Sequence, residues 1–291
     1  MGGSFMNVSN DIALAPPVVD FEYEQGIIKL IEKGLKGYQL IENKCAVNHE
    51  TYYDWLYKKL DVKDHTTVLE YASALGHFWE HTKDQLNLTA SYHLVDPSKI
   101  GMKFSKQVCE GISLPIHLNQ MSLYQLDYCN HYFDTVFSDV GFALISEEKR
   151  VKALTEMNRV LKPGGKILFA LQGKAYIEGL SDVCQCYGEV TNINQKHTPT
   201  NVGMQQEFKS LEGTLFESVT FEDYVSTYEV ANPKVIMNML ISLKGKDKLI
   251  DQIIYQNKVT EFAKDVKTHV DQAHPIRLTR RVTLVTCQKA K

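Results

Sequence analysis

Apolar residues change their spacing along this chain, and the changes outline its elements. From Phe21 to Leu60 they recur at near-helical intervals: Ile27, Ile28, Leu30, Ile31, Leu35 and Tyr38 in one stretch, then Tyr52, Tyr53, Trp55, Leu56 and Leu60 in another. Two helices ahead of any strand are predicted. Short apolar runs bounded by turn residues then alternate with helical stretches. Strands are predicted at Thr66–Ala72, Tyr92–Asp96, Ile116–Leu118, Phe133–Asp139 and Lys166–Leu171. Between them one helix starts near Gly76, and another opens at Pro97-Ser98 and runs to about Glu110. A third starts at Ser146-Glu147-Glu148, where Ser146 is suited to cap it and the two acids favour the positive end of the helix dipole. Val151, Leu154, Met157, Val160 and Leu161 form its apolar stripe, and Lys162-Pro163-Gly164-Gly165 stops it in a pattern that suits a type II turn.

Beyond Leu171 the alternation loosens. A helix is predicted over Asn201–Leu211, a strand over Phe216–Tyr224, a long and mostly helical stretch over Lys234–Val270, and a last strand over Arg281–Cys287. Two stretches, about Lys174–Thr200 and Asn232–Pro275, are too long for plain loops, and insertions of that size often serve as lids. The pattern as a whole predicts the α/β class, with a doubly wound sheet and helices placed before it.

Composition narrows the function classes. The 291 residues are 44% hydrophobic and 23% charged, with a net charge of −3, as in an ordinary globular protein. No basic stripe of the kind that binds nucleic acid stands out. No apolar run is long enough for a membrane span, and Met1–Asn10 has neither the basic start nor the apolar run of a secretory signal, so a cytoplasmic location is expected. Cys45, Cys109, Cys129, Cys184, Cys186 and Cys287 are scattered, which favours free thiols and no metal site.

The candidate chemistry begins at Val68-Leu69-Glu70-Tyr71-Ala72-Ser73-Ala74-Leu75-Gly76, with Asp96 twenty positions later. It reads as a strand, a tight turn of small residues, a helix start, and an acid at the tip of the next strand. Open α/β sheets hold ribose-bearing cofactors this way: small residues let the backbone approach the ligand, and the acid accepts both ribose hydroxyls. Nicotinamide and flavin folds share that plan. Discrimination comes from Phe133-Asp134-Thr135-Val136 and from Leu154-Thr155-Glu156-Met157-Asn158-Arg159-Val160-Leu161-Lys162-Pro163-Gly164-Gly165-Lys166-Ile167-Leu168. These segments resemble the class I S-adenosylmethionine-dependent methyltransferases, and the Arg-Val-Leu-Lys-Pro-Gly-Gly run resembles their small-molecule branch.

The resemblance implies a Rossmann-like sheet of seven strands, the last antiparallel, with Phe216–Tyr224 and Arg281–Cys287 as the closing pair. It implies an N-terminal helical cap over residues 1–60 and a methyltransferase domain over 61–291, with helical inserts at about 174–200 and 232–275. S-adenosyl-L-methionine is the implied cofactor and S-adenosyl-L-homocysteine its product. By position, Glu70 lies near the methionine amino group, and Ala72, Ala74 and Gly76 take the three glycine positions of the turn. Asp96 holds the ribose, with Pro97 beside the adenine and Met121-Ser122 toward its amine. Asp139, Val140 and Gly141 stand where the methionine end meets the substrate pocket. A cavity between Gly76, Asp96 and Asp139 is expected. The methyl of Ala74 at the middle position presses on the cofactor, an effect of about 1–3 kcal/mol unless the turn shifts.

Methyl transfer asks mainly for alignment, and a base is needed only where the acceptor holds a proton. His77, which shares a helix face with His81, is a candidate base or substrate contact, or else a polar helix-start residue. Asp139 is the second candidate, or serves the cofactor alone. Tyr38, Tyr52, Tyr53, Trp55 and Tyr57 either close over the methyl donor or pack helices on the sheet. Met237, Met239, Leu240 and Ile241 suit an apolar lid over a hydrophobic acceptor, or a helix core. Arg277, Arg280 and Arg281 meet an anionic group, or form a solvated strand entry. The expected function is methyl transfer to an O, N or C nucleophile of a small metabolite or natural product. Two alternatives stay open: a cyclisation or rearrangement on the same fold without methylation, and a non-catalytic methyltransferase-like partner subunit. The partner expected is a small-molecule acceptor, with no nucleic acid and no membrane; the pattern leaves the oligomeric state open.

Overall fold

Successive residues of the first strand enter two different cores, and this sets the layering. The computed structural model describes residues 20–32, 45–172, 202–241, 248–271 and 273–291. In β1 (Thr67–Tyr71), Leu69 and Tyr71 face one core, whereas Val68 faces the other. The same alternation recurs in β5 (Leu161–Gln172), with Ile167, Phe169 and Leu171 on the first side and Leu168 and Ala170 on the second. A strand buried on both faces reads as a continuous apolar run, which is why the strands are legible as such.

The remaining strands are β2 (Ser91–Asp96), β3 (Ile116–Gln120), β4 (Phe133–Ser138), β6 (Ser218–Val230) and β7 (Ile276–Gln288). They form one seven-stranded sheet in the order β3-β2-β1-β4-β5-β7-β6. The pairs from β3 through β5 are parallel, and β7 runs antiparallel to both β5 and β6. The closing pair is longer than its apolar pattern suggests, because β6 and β7 stay paired from Ser218–Gln288 out to Val230–Ile276. Their outer halves carry polar residues that pair across the strands, such as Arg277–Glu229 and Arg281–Asp223. The chain order reverses between β1 and β4, and the carboxyl ends on either side of such a switch point are where α/β sheets place their ligands.

Nine α-helices are described: α1 (Phe21–Glu32), α2 (Tyr52–Leu60), α3 (His77–Thr82), α4 (Lys99–Cys109), α5 (Glu147–Val160), α6 (Val202–Lys209), α7 (Pro233–Ile241), α8 (Lys248–Tyr255) and α9 (Val259–His269). A 3-10 turn covers Gly141–Leu144. The two N-terminal helices lie against opposite faces of the sheet rather than together. Tyr23 and Ile27 of α1 belong to the core that holds Phe142 and Leu154, whereas Tyr52, Trp55, Leu56 and Leu60 of α2 pack with Phe78 and Trp79. The two described N-terminal helices thus flank the sheet from opposite faces.

Capping departs from expectation at one helix. Ser146 occupies the N-cap of α5 in extended geometry, but its side chain makes no capping hydrogen bond. Thr51 instead forms a full capping box with Asp54 at α2. Gly164 has a φ of +71°, but the expected turn at Lys162–Gly165 lies within β5, where the pairing with β4 shifts register between Leu161 and Lys166. The four described cysteines, Cys45, Cys109, Cys129 and Cys287, are free thiols. The 174–200 insert, Leu35, Tyr38, Cys184 and Cys186 lie outside the described residues, as do the side chains of Met239, Leu240 and Ile241.

Candidate active site

The tip of β1 turns through Ala72-Ser73-Ala74-Leu75-Gly76, and all five residues are buried. Ala72 and Ala74 adopt φ values of +58° and +60°, in the left-handed region where a Cβ is disfavoured. Two glycines hold the turn from outside. A Cβ on Gly141 would lie 1.8 Å from the Ala72 carbonyl oxygen, and one on Gly101 would lie 2.5 Å from that of Ala74. Both positions need the bare backbone, since only glycine allows so close an approach. Gly76 at φ +72° ends the turn and caps α3.

Asp96, at the tip of β2, is fully buried. Its Oδ1 accepts from the Ser98 amide at 2.8 Å. Its Oδ2 accepts from the Ala74 amide at 2.7 Å and from the Tyr23 hydroxyl at 2.8 Å. Ser98 in turn caps α4 by accepting from the Gly101 amide. Burial pushes the Asp96 carboxyl up to about 7, although the Tyr23, Ala74 and Ser98 hydrogen bonds pull the other way; the nearby Glu24 charge adds to the rise. Glu70 is buried at the end of β1 and accepts from the Trp79 indole at 2.5 Å. Burial raises its carboxyl to about 8, against hydrogen bonds from Ser73 and Trp79, and the charges of Asp139 and Asp96 contribute.

Asp139 follows β4 and is 5% exposed. Its Oδ1 accepts from the Tyr52 hydroxyl of α2 at 2.6 Å. The Arg280 guanidinium sits 5.0 Å from the centroid of the Tyr52 ring. Tyr52 also lines a cavity of about 60 Å3 with Tyr53, His81, Tyr224, Ser226 and Tyr228. Its walls are aromatic: Tyr53 stacks on His81 at 4.4 Å, and Tyr52 lies 5.6 Å from Tyr224.

The structure brings Glu70, Asp96 and Asp139 close enough for their charges to interact. Pro97 is buried beside Asp96, and its carbonyl accepts from the Gln120 side chain at 3.1 Å. Met121 packs against the core, and the Ser122 hydroxyl accepts from the Tyr124 amide at 3.2 Å. Val140 leads into the 3-10 turn as its N-cap. His77 contacts Glu80 at 3.4 Å, and its Nε2 is buried without a hydrogen bond; the carboxylates of Asp96 and Asp139 are met by tyrosines instead. Gly76, Asp96 and Asp139 are all buried, and Tyr23 and Tyr52 reach the two acids from opposite faces of the sheet. Sequence reasoning missed Tyr23. Its only signal was the i, i+4 pairing with Ile27 on the α1 stripe.

Residues 68–165 match the family described as the methyltransferase domain. Over that span the chain is similar to the class I S-adenosylmethionine-dependent methyltransferases. The chain is 36% identical over 77 residues to a ubiquinone/menaquinone biosynthesis C-methyltransferase of Vibrio parahaemolyticus, covering 26% of this chain and 29% of that protein. It is 25% identical over 174 residues to the Klebsiella pneumoniae protein of the same name, covering 54% and 68%. The first match thus spans less than a third of its relative. Among solved structures, phosphoethanolamine N-methyltransferase 2 of Haemonchus contortus, crystallised with S-adenosylmethionine, is 14% identical with a TM-score of 0.47, covering 92% of this chain and 57% of that one. The YcgJ protein of Bacillus subtilis is 16% identical with a TM-score of 0.47, covering 82% and 98%.

The donor set suits the family's cofactor. Two backbone amides orient Asp96, and its third partner is a hydroxyl, the same chemistry that a ribose offers. Three interacting buried acids also suit a ligand that carries positive charge. Among the described residues no group of three or more His, Cys, Asp or Glu side chains is arranged to hold a metal ion, and no helix is long and apolar enough to cross a membrane.

Proposed function

We propose that this chain transfers the methyl group of S-adenosylmethionine to an O, N or C nucleophile of a small, hydrophobic acceptor. The observation that carries the reading is Asp96: a buried carboxylate at the β2 tip, oriented by the Ala74 and Ser98 amides beside the β1 turn. The C-methyltransferase names of the curated relatives support it.

Bound at this site, S-adenosylmethionine supplies an activated methyl group on a sulfonium. The protein's part is to bind, orient and exclude water. Asp96 accepts the ribose hydroxyls, and Pro97, Met121 and Ser122 border the adenine. Glu70, steadied by the Trp79 indole, accepts the methionine ammonium. Asp139 and Val140 line the methionine end. Tyr52, hydrogen-bonded to Asp139, forms the wall between that end and the tyrosine-lined cavity, where the acceptor enters. Aromatic walls favour a planar or apolar acceptor, which they orient by stacking. His77 and Asp139 are the candidate bases for an acceptor that carries a proton.

The test is incubation with S-adenosylmethionine labelled in its methyl group and panels of quinols, phenols and amines, beside Asp96→Ala. Label transferred by the wild type and lost in the variant is the expected result. Equal transfer by both, or cofactor binding with no transfer to any panel, would overturn the reading.

A further inference from the structure

We propose that α1 is a latch on the cofactor site, with Tyr23 and the ribose of the cofactor competing for the Asp96 carboxylate. The inference rests on the methyl-donor reading of Asp96. Of the three hydrogen bonds that Asp96 accepts, two come from backbone amides that belong to the turn and to the start of α4. The third comes from Tyr23, whose ring is completely buried over the carboxylate. A ribose that donates to Asp96 Oδ2 competes with the Tyr23 hydroxyl for that oxygen, and Tyr23 is carried on α1.

The docked helix is held and strained at once. Its start is tethered through Asp20, which accepts from the Tyr124 hydroxyl at 2.5 Å and from Lys149 at 3.2 Å. Gly26 lets the helix lie close to Leu144, where a Cβ would come within 3.1 Å. Against this, docking buries Glu24 Oε2 with no hydrogen-bond partner, and brings the Glu24 charge toward Asp96. A buried carboxylate oxygen without a partner, beside a second acid, opposes docking. Undocking returns Glu24 to water and frees Asp96 for the ribose. The second N-terminal helix need not follow, because α2 packs in the core on the other face of the sheet.

Neighbouring residues therefore have opposite effects on cofactor affinity. Tyr23→Phe keeps the ring in the core and removes the hydroxyl that competes for Asp96. S-adenosylhomocysteine is expected to bind this variant about tenfold more tightly by calorimetry. Glu24→Gln relieves the repulsion, strengthens docking, and is expected to weaken binding several-fold. Hydrogen exchange supplies a second readout: amides of residues 20–32 should exchange faster when the full-length protein is saturated with S-adenosylhomocysteine. Unchanged or weaker binding by Tyr23→Phe, or slower exchange across α1 in the complex, would overturn the latch. If the wild type and Tyr23→Phe bind equally while Asp96→Ala does not bind, the latch falls and the donor reading stands. If no form binds, including Tyr23→Phe, both fall.

Discussion

The Tyr52 hydroxyl donates to Asp139 Oδ1 across 2.6 Å, joining α2 to the tip of β4. Both residues are buried, so the bond links an N-terminal helix to the segment that follows β4. The Arg280 guanidinium against the Tyr52 ring fixes the phenol from another side.

Tyr52→Phe keeps the ring packing and removes only the donor. A hydrogen bond to a buried carboxylate is worth about 1.5–3 kcal/mol, and loss of stability in that range is expected by urea unfolding. The proposed role adds a kinetic consequence. With the Tyr52 donor gone from Asp139, the methyl-transfer rate should fall more than acceptor KM rises. A variant as stable as the wild type would mean that Asp139 is satisfied without Tyr52.

Gly141 and Gly203 form a matched pair. A Cβ on Gly141 would overlap the Ala72 carbonyl, whereas one on Gly203 in α6 meets nothing within 4 Å. Gly141→Ala must push the β1 turn away from the 3-10 turn, and a cost of about 3 kcal/mol or more is expected, together with weaker cofactor binding. Gly203→Ala should stabilise by about 0.5–1 kcal/mol, because alanine loses less entropy in a helix. Thermal unfolding of both variants checks the contrast, and equal effects would contradict the close approach.

Capping offers a similar comparison. Thr51→Ala removes the side-chain arm of the box at α2, leaving the Thr51 amide on Asp54, and should cost about 1 kcal/mol. Ser146→Ala removes no capping hydrogen bond at α5 and should change stability by about 0.5 kcal/mol or less. Chemical denaturation of the two single variants decides it.

The strands and helices from β1 to β5 were legible because doubly buried strands make unbroken apolar runs, and because Ser98 and the Pro163-Gly164-Gly165 run mark helix ends in residue type alone. Asp96 was legible for the same reason, as the last residue of the β2 run, whereas Glu70 precedes the last residue of β1 and Asp139 stands one position beyond β4. What the sequence concealed is contact between distant segments. Nothing near Tyr23 announces Asp96, which lies 73 positions away. Gly141 and Gly101 read as ordinary loop and helix glycines until the Ala72 and Ala74 carbonyls are found against them. Ser146 had the right residue at the right place, but an N-cap also depends on where the hydroxyl points.

The buried acids make a pH dependence whose sign is set by their direction of shift. Glu70 is raised to about 8 and Asp96 to about 7, both by burial, from ordinary values near 4. The folded protein thus holds these protons where the unfolded chain has released them. The stability they contribute is complete below about pH 4 and is lost as pH rises through 7 and 8. His93 works in the opposite sense at lower pH. Burial lowers its imidazole to about 4, so protonation of the unfolded chain erodes stability as pH falls below its ordinary value of 6.5. Between about pH 6.5 and 8.5 the acids dominate the pair of effects, and the melting temperature of the ligand-free protein should fall as pH rises. Glu70→Gln should flatten that slope, since the amide does not titrate, while His93→Asn should leave it unchanged. A melting temperature that rises across this window, or a slope untouched in Glu70→Gln, would show that Glu70 is ionised in the folded protein. A cationic ligand reverses the balance, because it favours the charged form of each acid. Saturating S-adenosylmethionine should therefore raise the melting temperature more at pH 8.5 than at pH 6.5.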